Sequence, residues 1–422
     1  MTVPAGPAIA SVSPAWWRRP GLDVVDDRLT LNGADLEGLL HKHGAPLFVY
    51  DLARPRENVR ALQGALTRAG LDHVVRFALK ANPDPRILAA LRALGAPGTP
   101  ASVGIDACSP GEVTHALANG WEPAEISHTG TNVSERDLDV LLAHAIRINL
   151  DGVSQLERLG RRAPGRRVGI RVNPGAGAGY TDHLAYAGER QTKFGVTEDR
   201  LDDAIAAARR HGLIVDTLHF HAGSGWLGDQ LDGFERALVG ATRFLDRLVD
   251  AGFEIREVNV GGGLGAPARA DERPVDLDAY AQVVARHLVP YGVTAAFEPG
   301  DLVMKDAAVL VGEVVSVERR GGTTFVGLDI GWNVNCASFI YGYAQEIVPV
   351  RGPLRDRTQL VTVAGHINEA GDVFAEDYPF PEIDEGEPVA ILNAGGYLQA
   401  MASTHCLRPT GSAVYLEREG GT

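Results

Sequence analysis

Cysteine is scarce in this chain: Cys108, Cys336 and Cys406 are three in number and far apart, which indicates neither a disulfide framework nor a zinc cluster and suits a reducing cytoplasm. Positive charge is short as well. With 40 Lys and Arg against 54 Asp and Glu, the net charge of −14 argues against nucleic acid or an anionic membrane as a partner. No apolar run is long enough to span a bilayer, and the Pro- and Ala-rich start lacks a continuous hydrophobic segment. Residues 1–20 therefore read as a loosely ordered lead-in. Internal repeats and low-complexity tracts are also missing. What remains is an ordinary globular composition, 45% hydrophobic and 22% charged, over 422 residues, more than one compact core would use. Two domains are expected.

Residues 22–31 have the short apolar clusters of a strand pair around Asp26-Asp27, and residues 34–40 read as a brief helix expected to join the C-terminal domain. A strand over residues 46–50 follows. From there strands ending at Lys80, Asp106, His128, Asn149, Arg171, His221, Gly261 and Glu298 alternate with helical segments such as 86–94, 201–210 and 234–248. Eight such units predict an α/β fold, a TIM-like (β/α)8 barrel over residues 46–300, with polar residues at the strand ends and apolar ones filling the strands behind them. Ser109-Pro110-Gly111-Glu112 marks one helix start, with a Ser cap, Pro at the first position and Glu where a capping box needs it. After Glu298 the pattern turns to β-rich runs at 308–317, 323–328, 346–350, 359–363 and 388–392. These predict an all-β domain over 301–422, with residues 1–45 partly packed on it.

Lys80 closes a largely apolar run that begins at Val74 and meets the Asn82-Pro83 turn signal. A lysine with its stem buried at a strand end has a lowered pKa, as the nucleophile of a Schiff base with an aldehyde requires; the plainer reading is a lysine snorkelling at a strand end. Gly261-Gly262-Gly263 after a strand can close backbone N–H groups around an anion, or can be a simple turn. The stretch from His219 to Gly225 ends the preceding strand and brings Ser224 toward the same mouth. His219 and His221 point to one side by alternation. They suit an imidazole packed on a cofactor ring better than a zinc pair, for which no third ligand is placed, and no metal is expected. Glu298 before Pro299-Gly300 can keep a pyridine nitrogen protonated, or can be a surface glutamate at a turn.

Taken together, Phe77-Ala78-Leu79-Lys80-Ala81-Asn82, Asp106 to Glu112, Arg171-Val172-Asn173-Pro174, Lys193-Phe194-Gly195, His221 to Gly225, Gly261 to Gly263, Glu298-Pro299-Gly300 and Ala394-Gly395-Gly396-Tyr397 stand in one order. In that order the chain resembles the fold-type III decarboxylases that use pyridoxal 5′-phosphate (PLP), the group of diaminopimelate and ornithine decarboxylases. The resemblance implies that Lys80 holds the cofactor, His221 stacks on its ring, Glu298 meets the pyridine nitrogen and Arg171 lies near the ring hydroxyl. Asp106 and Gly300 belong to the same cofactor site, and Ser224, Gly261, Gly262, Gly263 and Tyr397 would hold the phosphate. It also implies a homodimer with shared active sites.

Three departures stand against the matches. Asp301 replaces the arginine of the family's Glu-Pro-Gly-Arg, and Ala337, near Tyr341, replaces a second arginine. In diaminopimelate decarboxylases both are associated with the distal end of the substrate. The family's cysteine, supplied across the dimer interface, aligns with Asn368, beside Glu369. Asparagine cannot serve as a general acid. The expectation is a PLP-dependent decarboxylase of an amino acid or amino-acid conjugate other than diaminopimelate, as in siderophore or natural-product assembly, with Asp301, Ala337, Tyr341, Asn368 and Glu369 facing the substrate. A racemase or epimerase on the same barrel and a catalytically inactive paralogue are the alternatives.

Overall fold

Eight parallel strands close on themselves in the computed structural model: His73–Ala78, Val103–Ala107, Ile126–Gly130, Arg147–Leu150, Arg167–Arg171, Ile214–His219, Glu257–Asn259 and Thr294–Phe297. Each pairs with its sequence neighbour, and Thr294–Phe297 returns to His73–Ala78. The structure describes residues 15–181, 184–185 and 192–418, which divide into two compact units. The barrel unit comprises residues 56–265 and 274–303; the sheet unit holds residues up to 55, 266–273 and those from 304 on.

Helices cover the barrel's outside because the strands present Val75, Phe77, Ile105, Ile126, Ile148, Ile170, Leu218, Val258 and Phe297 to them, all buried. Local signals set the helix starts. Ser109 accepts the Glu112 N–H at 3.2 Å and Pro110 occupies the first position. The Glu112 carboxylate reaches one residue further back than a capping box would, accepting the Cys108 N–H at 2.7 Å.

The barrel's interior corrects the expectation of apolar filling. The alternate strand positions carry charge: Arg76 and Glu257, each 6% exposed, meet through two bonds of 2.8 Å. Arg147 extends the network to Glu257 and Asp216, and Arg167 also binds Asp216. Above them Asn149 donates to the Ser127 and Thr129 hydroxyls. Gly169 leaves room for that amide, since a Cβ there would lie 2.0 Å from Asn149 Oδ1. Strand alternation reports which residues share a face, but the curvature that turns the polar face inward is tertiary.

In the sheet unit the strand order is Ile347–Pro349, Pro388–Ile391, Ala308–Arg320, Thr323–Leu328, Gln359–Ala364, Val373–Phe380. Leu47–Asp51, which the expected boundary at residue 46 assigned to the barrel, pairs instead with Ala308–Arg320 and with Ser412–Leu416. The strands Leu22–Val25 and Arg28–Leu31 and the helix Leu36–His43 pack on this sheet through Leu22, Leu29, Leu31, Leu36 and Leu40 against Val309, Val311 and Ala390. A fully buried leucine contributes about 1.5–3 kcal/mol relative to an exposed one, so this segment is part of the core. The lead-in is likewise tied down at its end. Trp17 is 3% exposed within that cluster, and the Arg19 guanidinium donates to the Asp306 carbonyl at 2.6 Å; residues 1–14 lie outside the described residues. Among the described residues no helix is long and apolar enough to cross a membrane.

Candidate active site

At the C-terminal end of the first barrel strand the chain turns through Leu79–Ala81, and Lys80 stands on that turn. The Asn82 N–H closes it on the Leu79 carbonyl at 3.1 Å, and Asp84 then caps the helix Pro85–Arg92. Lys80 is not buried as expected: its side chain is 46% exposed, because the turn lifts it clear of the strand. Its Nζ lies 3.3 Å from Oδ2 of Asp106, which ends the next strand and is 4% exposed. Burial and the nearby Glu298 charge push the Asp106 carboxyl up to about 7, although Lys80 pulls the other way. Asp106 Oδ1 has no hydrogen-bond partner.

Glu298 ends the last strand and is buried, and both of its oxygens are engaged. Oε2 accepts from His219 Nε2 at 3.0 Å and Oε1 from the Asn259 amide at 2.6 Å. Burial alone would raise this carboxyl, but His219 and Asn259 outweigh it and hold it down at about 2. Of these two carboxyls, Asp106 is therefore held up and Glu298 held down. Sequence reasoning named His219 for its ring alone and missed Asn259; they stand on the two successive strands that precede the Glu298 strand around the barrel, and alternation with the named His221 and Gly261 is the signal that could have found them.

His221 lies two residues past its strand, where Gly262 donates its N–H to Nδ1 at 3.2 Å. Burial, then the charges of Arg171 and Lys80, hold this imidazole well below its ordinary pKa, so it is neutral. The glycines are required by packing: a Cβ on Gly262 would meet the Glu298 carbonyl at 2.1 Å, and one on Gly263 would meet the Gly223 carbonyl at 1.9 Å. The expected cradle is also narrower than three glycines imply. Gly261 N–H is taken by Asn259 Oδ1 at 2.9 Å and Gly262 N–H by His221, which leaves the Gly263 N–H and the Ser224 hydroxyl without acceptors among the described residues. Gly300 accepts the Val303 N–H as the short helix Asp301–Met304 begins, with Asp301 partly buried at its first position.

Arg171 is clamped. Its guanidinium lies 4.4 Å over the Phe194 ring and 3.8 Å from Asp151 Oδ1, which also accepts the Gly195 N–H at 2.6 Å. The Lys193-Phe194-Gly195 motif thus fixes the arginine.

In the sheet unit, Ala337 opens a π-helical turn, Ala337–Tyr341, and is itself buried. Tyr341 Oη donates to Met401 Sδ at 3.2 Å, and Cys336 Sγ donates to the Tyr397 carbonyl at 3.5 Å. Asn368 and Glu369 are exposed on a turn held by Asp372, which accepts the Ile367 and Trp332 N–H groups. Glu369 lies 3.5 Å from His405 Nε2. The structure therefore gathers Lys80, Asp106, Arg171, His221, Ser224, Gly261, Gly262, Gly263, Glu298, Gly300 and Asp301 in the barrel unit, and Ala337, Tyr341, Asn368, Glu369 and Tyr397 in the sheet unit.

An amine, an anionic carboxylate, a neutral flat ring and open N–H and O–H donors are what PLP requires, and the unpartnered Asp106 Oδ1 and Gly263 N–H leave it polar atoms to meet. Comparison with known proteins agrees. Residues 53–305 match the family described as pyridoxal-dependent decarboxylase, pyridoxal binding domain. The diaminopimelate decarboxylase of Methanothermobacter thermautotrophicus is 37% identical over 95% of this chain and 93% of its own, and that of Streptomyces coelicolor is 31% identical over 97% and 90%. Among solved structures, the Helicobacter pylori diaminopimelate decarboxylase complexed with L-lysine superposes with a TM-score of 0.80 at 26% identity, covering 91% of this chain and 94% of that one.

Proposed function

Because the chain belongs to the pyridoxal-dependent decarboxylases and is a PLP-dependent amino-acid carboxy-lyase, we propose that the barrel mouth is its active site, with Lys80 as the residue that holds the cofactor and is displaced by the substrate amine. The decarboxylase relatives weigh against the racemase and inactive-paralogue alternatives, and carbon dioxide release separates the three. The observation that carries the site is the convergence of the Lys80 and Asp106 pair, neutral His221 and anionic Glu298 at the C-terminal strand ends of one barrel.

Bound PLP supplies an electron sink for the pair left behind when the α-carboxylate departs. Glu298, kept anionic by His219 and Asn259, would hold a proton at the pyridine nitrogen. His221 would offer its flat face to the ring, and Arg171, clamped by Phe194 and Asp151, would meet the ring hydroxyl. Gly263 N–H and Ser224 Oγ, with Gly261 and Gly262 around them, would receive the phosphate.

The substrate is an amino acid or conjugate whose distal end differs from diaminopimelate. Asp301 and Ala337 stand where two arginines are expected, and a distal carboxylate beside Asp301 would meet like charge. Diaminopimelate itself is the competing reading, favoured by the names of the relatives. Homodimers with shared sites complete the proposal, supported by the exposure of Asn368 and Glu369. The test is to incubate the purified chain with diaminopimelate, other amino acids and their conjugates, measuring carbon dioxide and product mass. Diaminopimelate turnover equal to that of the best substrate in the panel would overturn the substrate reading; carbon dioxide from none would overturn the activity.

A further inference from the structure

Decarboxylation consumes a proton at the α-carbon, and Asn368 has none to give: its carboxamide does not ionise as an acid at neutral pH. We propose that Asp106 and Lys80 form a two-residue proton relay, in which Asp106 recharges Lys80 Nζ and Lys80 delivers the proton to the substrate's α-carbon. This rests on the decarboxylase reading above.

The geometry supports each half. Nζ and Oδ2 stand 3.3 Å apart, close enough to share a proton, while Lys80 is half-exposed and reaches into the mouth. Asp106 is almost entirely buried, and its other oxygen has no donor. A buried, ionised carboxylate with one oxygen bare is costly, and protonation removes that cost. The charged groups around it divide in sign. Glu298 and Glu112 favour the proton on Asp106, whereas Lys80 favours its release and Arg76 adds positive charge from the barrel interior; the Cys108 thiol is pushed up to about 12 and stays neutral. With burial, the balance leaves the Asp106 carboxyl at about 7, a poise suited to taking a proton from solvent and giving it up in each turnover.

The protons balance. Substrate binding displaces Lys80 as a neutral amine, and Asp106 transfers its proton to Nζ, which gives the carboxylate and ammonium pair. After carbon dioxide leaves, the ammonium protonates the α-carbon and becomes a neutral amine again, ready to reclaim the cofactor. Asp106 then takes one proton from water. One proton is consumed for each carbon dioxide released, and no oxidant or second substrate is needed. Asp106 acts through Lys80 and never touches the reacting carbon.

The experiment follows the loaded full-length chain with a substrate it decarboxylates, counting carbon dioxide, amine product and the carbonyl by-product formed when the proton returns to the cofactor instead. In Asp106→Asn, carbon dioxide should persist in the first turnover, the by-product fraction should rise at least about tenfold, and the fall in amine formation as pH rises through about 7 should disappear. Asp106→Glu should restore part of the wild-type partition. Should Asp106→Asn fail to fold, Glu112→Gln tests the same point, because it keeps an acceptor for the Cys108 N–H while removing a charge that raises Asp106. Its pH limb should move to lower pH. Infrared difference spectra of the unloaded chain add a readout independent of turnover, a protonated-carboxyl band at neutral pH that Asp106→Asn lacks. Unchanged partition and pH profile in Asp106→Asn, an unmoved limb in Glu112→Gln, or absence of the band would each overturn the relay alone. Failure of the wild-type chain to release carbon dioxide would overturn the decarboxylase reading and the relay with it.

Discussion

Gly262 donates its backbone N–H to Nδ1 of His221 at 3.2 Å, which makes Nδ1 an acceptor and leaves the single ring proton on Nε2. The ring is thus an uncharged plate whose orientation is set by the glycine turn. Aromatic stacking contributes about 0.5–1.5 kcal/mol, so His221→Ala should weaken PLP binding roughly two- to tenfold, while His221→Phe should lose less. Fluorescence titration of the unloaded chain with PLP measures both. Equal losses in the two variants would show that the flat face is not what binds.

Lys80 is the residue expected to carry the cofactor. Borohydride reduction of the loaded protein followed by peptide mapping should place the pyridoxyl group on Lys80, and Lys80→Arg should abolish the label. A label on Lys193, whose neighbour Phe194 lies over Arg171, would refute the assignment.

Arg76 and Glu257 form a buried bidentate pair, so removing one partner strands the other. Arg76→Met should destabilise the barrel by about 3–5 kcal/mol, toward the lower end because Arg147 also reaches Glu257, and the double variant Arg76→Met with Glu257→Leu should recover much of the loss. Burial by itself would raise the Glu257 carboxyl, but Arg76 and then Arg147 outweigh it and hold it below its ordinary value. The stabilisation is therefore complete above the unfolded carboxylate pKa and is lost as pH falls through the lower folded value. Urea melts across the acid range should show a shallower acid decline in Glu257→Gln. An identical decline in both proteins would remove Glu257 from the account.

Asn368 should matter for binding and product partition more than for proton supply. The Asn368→Ala variant is expected to raise KM or by-product formation severalfold while leaving carbon dioxide release within about tenfold of wild type. Asn368→Cys should leave decarboxylation intact or improve proton return. Sedimentation run alongside the assay should find the activity in the dimer; an active monomer would remove the shared site.

Much of this could be read along the chain. The eight strand ends, the Ser109 cap and the spacing of Lys80, Gly261 to Gly263 and Glu298 are local signals, because apolar periodicity and turn chemistry act over a few residues. The strand Val373–Phe380 was missed because Asp377 in the left-handed region and Pro379 break its alternation. Ser412–Leu416 was missed because it is short and only half-buried. Which way a strand's faces point is decided by closure, so Arg76, Glu257 and Asn149 were invisible as interior residues until the barrel curved around them. Closure also decided the chemistry of the mouth. The exposure of Lys80, the raised pKa of Asp106 and the anionic state of Glu298 depend on distances between residues tens to hundreds of positions apart, and desolvation and Coulomb forces act through space rather than along the chain.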